Sequence, residues 1–559
     1  MMPIQKPAKF YYDSSVAQRL WARDATLWSN DQRHIDTIQR RLGWLDSPQW
    51  LRQKLDDLYQ RIYRIQVHDW KQIVLIGMGG SSLAPAIFSR MATASPIGIS
   101  YRKLKVLDST HPDVIRNILA KGDITETLFV VSSKSGVTLE VMTLCSYVHD
   151  LLRQKIIKTK QTGNFVAITD EGTPLEGFAR ENEFLDCFIN PADVGGRFSA
   201  LTYYGMVPAA LLGFDLHQIS KSAEREAAEC RTKPNEYNKA FDFGWHIASH
   251  AVHGRNKLTL MLSPEIEPIG AWIEQLLAES TGKDGRGILP IVNEAVFHPG
   301  RYGTDRIFVA ISLNNDSNLT EECRKLELAG FPVFSSGMRD LNDVGGQFFR
   351  WEFVTAIVGA VLSINPFDEP DVQRTKNATN FFLEGKKSLK NSGLKPCIRE
   401  SGLTLIADPY KFKGLSDIGA GITRLFGAVG EVDYVAILSW LEEDEEAREL
   451  LENISSQIQK SLGLPATVNF GPRYLHSTGQ FHKGGLDSGV FIQIVAEVQT
   501  DLSIPDREYG FRVLHQAQAD ADLAVLSDLG RRVVRIDLGV NSMRGLADLT
   551  MLFDRVLSG

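Results

Sequence analysis

Two stretches of the chain set small hydroxyl residues beside glycines where an apolar run gives way to a helical pattern. They are LIGMGGSSLAPAIF, with Gly77, Gly79, Gly80, Ser81 and Ser82, and FVVSSKSGVTLE, with Ser132, Ser133, Ser135 and Thr138 around Lys134. A strand–turn–helix junction presents unpaired backbone N–H groups and the positive end of a helix dipole. Hydroxyl donors beside those amides make a cradle for a phosphate dianion. Serine and threonine are also ordinary N-caps, so capping explains either stretch alone equally well. The first is a poor dinucleotide fingerprint, because the third glycine of G-x-G-x-x-G is missing, and it lacks the G-K-[ST] of a P-loop. Two such turns on neighbouring strands of one sheet favour a bound phosphate over capping.

Two further stretches carry groups suited to proton transfer. In NPADVGGRFSALTYYG, a Gly195-Gly196 turn delivers Arg197 just before a helix. An arginine there serves either in a structural ion pair or in holding developing oxyanion charge. In AWIEQLLAESTGKDGRG, Gln275 and Glu279 stand four residues apart on one helix face, near an end marked by Gly282. Glu279 lies in an apolar stretch, where desolvation raises a carboxyl toward the range of a useful general base. Glu274 is off that face and is expected to be solvated.

These groups must be positioned by a chain of 559 residues, 43% hydrophobic and 23% charged, which is ordinary for a soluble protein of several modules. A net charge of -7 gives no long-range attraction for nucleic acid. The five cysteines are scattered and hold no C-x-x-C pair, so neither a disulfide framework nor a cysteine-based zinc site is expected, and a cytoplasmic location is. No His/Asp/Glu cluster has persuasive metal spacing, so no metal and no cofactor are expected. The start lacks the apolar stretch of a secretory signal, and FVTAIVGAVLSI at 353–364 is too short to span a bilayer; it reads as a core helix, and no membrane partner is expected. The acidic run LEEDEEAREL at 441–450 reads as the solvated first turns of a helix.

Residues 1–65 read as a helical arm. From there QIVLIGMGG, KLKVLDSTHP, TLFVVSSKSG and NFVAITDEG alternate with helical stretches, and LTLMLSP, RIFVAISLN and FPVFSSGM repeat the pattern from residue 258. Such alternation is the signature of parallel sheets in βαβ order. The expected class is α/β, with doubly wound modules at 66–235 and 236–390. Past EGKKSLKNSGLKP, a C-terminal α/β segment at 391–559 carries LTLIAD, YVAILSW, GVFIQIVAEV and VVRIDLG. Its pattern leaves open whether it stands alone or completes the second sheet. Ligands of open α/β sheets gather at the carboxyl ends of strands.

GMGGSSL, SSKSGVTLE, VGGRFS, EQLLAESTGK and INPFDEPDVQRTK occur in the order of similar motifs in the phosphoglucose isomerases, and together they are very specific. The resemblance covers roughly residues 70–380 and is nearest to the isomerase half of bifunctional transaldolase/phosphoglucose isomerases; the chain is short of room for a transaldolase barrel as well. It implies two sugar-isomerase (SIS-type) modules interconverting glucose 6-phosphate and fructose 6-phosphate in glycolysis and gluconeogenesis, through a cis-enediol(ate) and without a metal. Gly80, Ser81, Ser133, Lys134, Ser135 and Thr138 would hold the sugar phosphate, Lys134 mainly through its backbone. Glu279 would be the base between C1 and C2, Arg197 would stabilise the enediol(ate), Gln275 would contact the sugar, and Lys376 would assist ring opening or hold the ring oxygen. A phosphorylated hexose is the implied partner, and a homodimer with its site near the subunit interface the implied assembly. An isomerase that also accepts mannose 6-phosphate and a non-catalytic sugar-phosphate regulator are the rival readings; the second needs neither Glu279, Gln275 nor Lys376.

The chain departs from the family pattern twice. Glu369 stands where the family has the glutamine of N-P-F-D-Q. The ring-opening histidine of a GTNGQH-like stretch is missing from its linear counterpart, RYGTDRIF, which offers Asp305 and Arg306 instead. LHSTGQFHKGG is the similar stretch further on; its shared Thr478-Gly479-Gln480 places the expected histidine at His482, ahead of His476 and His298.

Overall fold

The β-branched runs that open each α/β unit become strands buried on both faces, as a sheet covered by helices on two sides requires. The computed structural model describes residues 13, 15–94, 103–156, 163–231, 238–389 and 393–558. Strands β1 (Gln72–Gly77), β2 (Leu104–Leu107), β3 (Thr127–Ser132), β4 (Phe165–Asp170) and β5 (Asp186–Asn190) form a parallel sheet in the order β2-β1-β3-β4-β5. Both hydroxyl-rich turns leave adjacent strands, since Gly77 of β1 is in register with Ser132 of β3. This is the switch point of a 2-1-3-4-5 sheet, where chain connections diverge and leave a crevice for a ligand.

The second sheet, also parallel, has β6 (Lys257–Leu262), β7 (Leu289–Ile291), β8 (Arg306–Leu313) and β9 (Val333–Met338) in the order β7-β6-β8-β9. Between β6 and β7 runs the Ile269–Thr281 helix that carries Gln275 and Glu279. The apolar stretch around 353–364 falls largely in the helix Val344–Leu362, which packs against that helix and against Leu216–Arg231 and Lys239–Val252. The arm supplies helices Ser15–Trp21, Gln32–Gln39 and Ser47–Gln66, and its Trp28 Nε1 donates to the Ala356 carbonyl. Residues 1–12 and 14 of the expected arm, and 390–392 of the lysine-containing stretch before the third unit, lie outside the described residues.

The C-terminal segment forms a sheet of its own. Strands β10 (Lys395–Glu400), β11 (Leu403–Ala407), β12 (Tyr434–Ser439), β13 (Ala466–Phe470), β14 (Gly489–Val495) and β15 (Arg532–Asp537) run in the order β10-β11-β15-β14-β12-β13, with β10 and β11 antiparallel additions to a parallel core. It has its own hydrophobic core and a second apolar seam, in which Ala278, Leu289 and Ile291 of the second unit meet Trp440, Phe481 and Phe491.

That seam is closed by the short helix Gly479–Gly484. The Gln480 Nε2 donates to the Gly282 carbonyl and to Asp371 Oδ2, each at 2.9 Å, and its Oε1 accepts from the Asp371 amide at 2.8 Å. Gly282 is required by contact, since a Cβ there would lie 2.3 Å from the Phe481 Cα. A second clasp is ionic: Arg473 grips Asp108, after β2, at 2.7 Å and Glu443 at 2.8 Å. Glu445 and Glu446 do occupy the first turn of the helix Glu445–Leu462, but Glu443 belongs to this clasp with Arg473 and Arg448, not to a wholly solvated face. Gln480→Ala strips partners from buried polar groups on two elements, at about 1–3 kcal/mol for each group left unsatisfied. Urea unfolding should show the stability falling by at least about 2 kcal/mol; an unchanged midpoint would mean that this glutamine does not hold the third unit in place.

Candidate active site

Four segments meet at the carboxyl ends of β1 and β3. The β1 turn comes close enough to the others to exclude side chains. A Cβ on Gly80 would sit 2.1 Å from the Gly196 carbonyl oxygen, and one on Gly79, whose φ of +56° already favours glycine, would sit 2.9 Å from Gln275 Nε2 and 3.2 Å from the His476 Cβ. The β1 turn, the Gly195–Arg197 turn, the Ile269–Thr281 helix and the loop after β13 therefore share one point.

Along the two hydroxyl-rich turns, Ser81 and Ser133 are buried, and the Ser133 hydroxyl donates to Thr138 Oγ1 at 3.2 Å. Ser135 is exposed, and its hydroxyl accepts the Val137 amide at 3.3 Å. The Lys134 ammonium turns away to ion-pair with Asp170, which also accepts from the Tyr204 hydroxyl at 3.2 Å. Lys134 thus ties the loop to the end of β4 at Asp170.

Glu279 is buried with both carboxylate oxygens engaged. Arg197 Nη1 lies 2.9 Å from one and Gln275 Nε2 donates to the other at 3.0 Å. Burial pushes the Glu279 carboxyl up more than the Arg197 charge pulls it down, and the nearby Glu369 adds to the rise. Arg197 makes five polar contacts: Nε donates to Ser280 Oγ, Nη2 to the carbonyls of Pro366 and Asp368 and Nη1 to Glu369, and Nη1 also pairs ionically with Glu279. Lys283, which follows the Glu279 helix, donates to the Asn365 carbonyl and ion-pairs with Asp368 at 2.8 Å, so the NPFDE loop is clamped from two sides. Lys376 is exposed on the helix Pro370–Leu383, and its charge helps hold Glu140 and Glu369 low.

The histidine at this site is His476. Its carbonyl accepts Gln275 Nε2 at 2.7 Å, and its ring Nε2 is 3.1 Å from Glu140 Oε1. Burial would push the Glu140 carboxyl up, but His476 beside it outweighs that and holds it below the usual carboxylate range; Gln518 donates to the same oxygen at 2.7 Å. Glu140 ends the SSKSGVTLE stretch, yet its partner is 336 residues away. His482 stands elsewhere, contrary to the expectation from the shared TGQ. It is enclosed by Tyr434, Tyr474 and Phe491, with its Nδ1 2.9 Å from the Tyr434 hydroxyl. Burial, reinforced by Lys483 and Arg531, holds its pKa well below the ordinary histidine value. The cause is helical geometry: Gln480 faces the second unit, and a residue two positions on points about 200° away. His298 caps a turn at Gly300, and in RYGTDRIF Asp305 pairs with Lys257 while Arg306 forks Glu294.

Residues 54–293 match the family model for phosphoglucose isomerase. The chain carries a phosphoglucose isomerase domain. The match spans both hydroxyl-rich turns, Arg197, Gln275 and Glu279, and stops before Lys376 and His476. A probable glucose-6-phosphate isomerase of Methanococcus maripaludis is 27% identical over 379 residues, 60% of this chain and 84% of the relative. A glucose-6-phosphate isomerase of Bacillus thuringiensis (strain Al Hakam) is 26% identical over 399 residues, 62% and 87% of the two chains. The crystal structure of a glucose-6-phosphate isomerase from Chlamydia trachomatis superposes with a TM-score of 0.50 at 20% identity, over 68% of this chain and 80% of its own, which shows a shared fold.

Glu274, expected to be solvated, is 8% exposed and lines a cleft of about 430 Å³ between the three units, with its carboxyl pushed up to about 8 by burial. Its face of the helix turns into this cleft, which residues of the first and third units also line and which its own sequence neighbourhood does not reveal. A folded-state pKa above the unfolded value means stability is lost as pH rises between the two. Relative to wild type, Glu274→Gln should therefore gain about 1.4 kcal/mol per pH unit from about 4.5 upward, levelling off above about 8. Parallel urea titrations across this range check it; a pH-independent difference would contradict the burial of an unpaired acid.

Proposed function

We propose that the chain interconverts glucose 6-phosphate and fructose 6-phosphate through a cis-enediol(ate), a metal-free proton transfer between C1 and C2. The observation that carries this reading is a buried carboxylate, Glu279, held by the Arg197 guanidinium at 2.9 Å and carried on a helix whose Gln275 packs so close to the β1 turn that a Cβ on Gly79 would sit 2.9 Å from its Nε2. Gly80, Ser81 and the Ser133–Thr138 loop hold the phosphate and so place the other end of the sugar at Glu279. Glu279 takes the proton from one carbon and returns it to the other. Arg197 stabilises the charge that develops on the enediolate oxygens. Gln275 Oε1, buried without a protein partner among the described residues, is free to accept a sugar hydroxyl. A phosphate sensor would need no buried Arg–Glu pair, and such pairs are costly to bury.

Ring opening falls to His476 rather than His482. His476 reaches the site and carries a carboxylate partner, the arrangement that orients an imidazole for proton transfer near neutral pH. Because His476 arrives on the loop after β13, the third unit supplies it to Glu279 of its own chain. The site is then complete in one polypeptide, whether or not the chain forms a homodimer. Free cysteines suit a reducing, cytoplasmic setting.

Glu279→Gln should lower kcat by roughly 10²–10⁴ while fructose 6-phosphate still binds by calorimetry. Deuterium at C2 of glucose 6-phosphate should wash partly into solvent with the wild type; full retention would indicate a hydride shift and reject the base. His476→Ala should slow turnover of ring-closed substrate far more than proton exchange on an open-chain analogue, whereas His482→Ala should affect both alike. Mixed Glu279→Gln and His476→Ala chains should regain nothing under conditions of subunit exchange; recovered activity would place the histidine across a subunit boundary.

A further inference from the structure

The Arg197 guanidinium, fully committed in the free chain, poses a problem for a group that must receive an enediolate oxygen. Four of its five polar contacts are fixed. The Ser280 hydroxyl, the Pro366 and Asp368 carbonyls and the Glu279 carboxylate are set by a helix and by a loop clamped through Lys283. The fifth goes to Glu369 Oε2 at 2.9 Å, and this partner differs in kind: its side chain is 46% exposed, against 8% for Glu279. It begins at the N-cap of the helix Pro370–Leu383 and makes no capping bond there. Resting on the functional reading above, we propose that Glu369 is a displaceable counter-anion that occupies the oxyanion position on Arg197 in the free chain and leaves it when the enediolate forms.

The charges around this point make the exchange physically sensible. A guanidinium buried beside Glu279 alone would leave one N–H unsatisfied, at a cost comparable to a lost charge-assisted hydrogen bond. Glu369 fills that vacancy and, being half exposed, can return to water cheaply. Its presence also acts on the base. With two carboxylates on one nitrogen, Glu279 holds its proton more tightly than it would beside Arg197 alone. The other charges facing the pair are Lys283 with Asp368, Lys376, and His476 with Glu140. Only Glu369 among them shares the Arg197 nitrogen with Glu279. A neutral glutamine at this position could satisfy the same N–H but would not compete as an anion.

Glu369→Gln is the test, since a half-exposed isosteric change leaves the fold intact. The probe is a five-carbon aldonate 5-phosphate, whose carboxylate takes the place of the planar enediolate. It should bind Glu369→Gln about tenfold tighter than wild type by calorimetry, the factor equivalent to one pKa unit of interaction. The acid limb of the kcat/KM profile should move to lower pH, because removing the Glu369 charge lets Glu279 lose its proton more readily. Difference infrared titration of the Glu279 carboxyl in the free protein, with Glu279→Gln as the blank, should show the same downward shift. Unchanged or weaker aldonate binding, or an unmoved Glu279 titration, would overturn the proposal. A wild type that neither turns over nor binds the probe would instead reject the isomerase reading, and the infrared titration would still decide whether Glu369 acts on Glu279 through Arg197.

Discussion

The ion pair between Arg197 and Glu279 is the constraint on which the rest of the site depends. Delivered by the Gly195–Gly196 turn, its guanidinium ties two other parts of the chain together: the helix that carries Glu279 and Ser280, and the NPFDE loop. Burying a charge is expensive unless its partners are near ideal in geometry, and removing one partner leaves the other stranded. The surrounding glycines, the Lys283 clamp and the Lys134–Asp170 pair can be read as what keeps that geometry fixed while leaving room for a ligand. The same burial raises the proton affinity of Glu279, so structural cost and chemical utility have one origin.

The third unit changes what a single chain can do. Gln480 docks the short helix on the end of the base helix, Arg473 locks the other side to Asp108, and the turn between them brings His476 to Glu140. Three sheets with separate strand ladders thus contribute to one crevice. The distance in sequence between Glu140 and His476 is long, but each lies in the connection that follows a strand, Glu140 at the start of the helix after β3 and His476 in the short helix Arg473–His476 after β13.

Much of this was legible in the sequence because it is periodic. The α/β alternation follows from short continuous apolar runs set between stretches of helical spacing, the paired turns from their glycines and hydroxyls, and the common face of Gln275 and Glu279 from the 3.6-residue period. What spacing could not supply was which outer face another module covers. Glu274 looked solvated because its own helix offers no sign of the cleft it turns into. Thr478-Gly479-Gln480 drew attention to His482, yet the motif's work here is Gln480's docking, and docking turns His482 toward Tyr434 and Phe491. The strands passed over, β5, β7, β10 and β13, include the three-residue LPI and the exposed edge KPCIRE, too short or too polar to show a strand's pattern alone.

A crystal structure of the protein with fructose 6-phosphate bound tests the central claim most directly. The account predicts the phosphate on the Gly80–Ser81 and Ser133–Thr138 turns, C1 and C2 against Glu279, and His476 of the same chain at the ring oxygen. A phosphate bound elsewhere, or a histidine from a neighbouring chain at the ring, would contradict it.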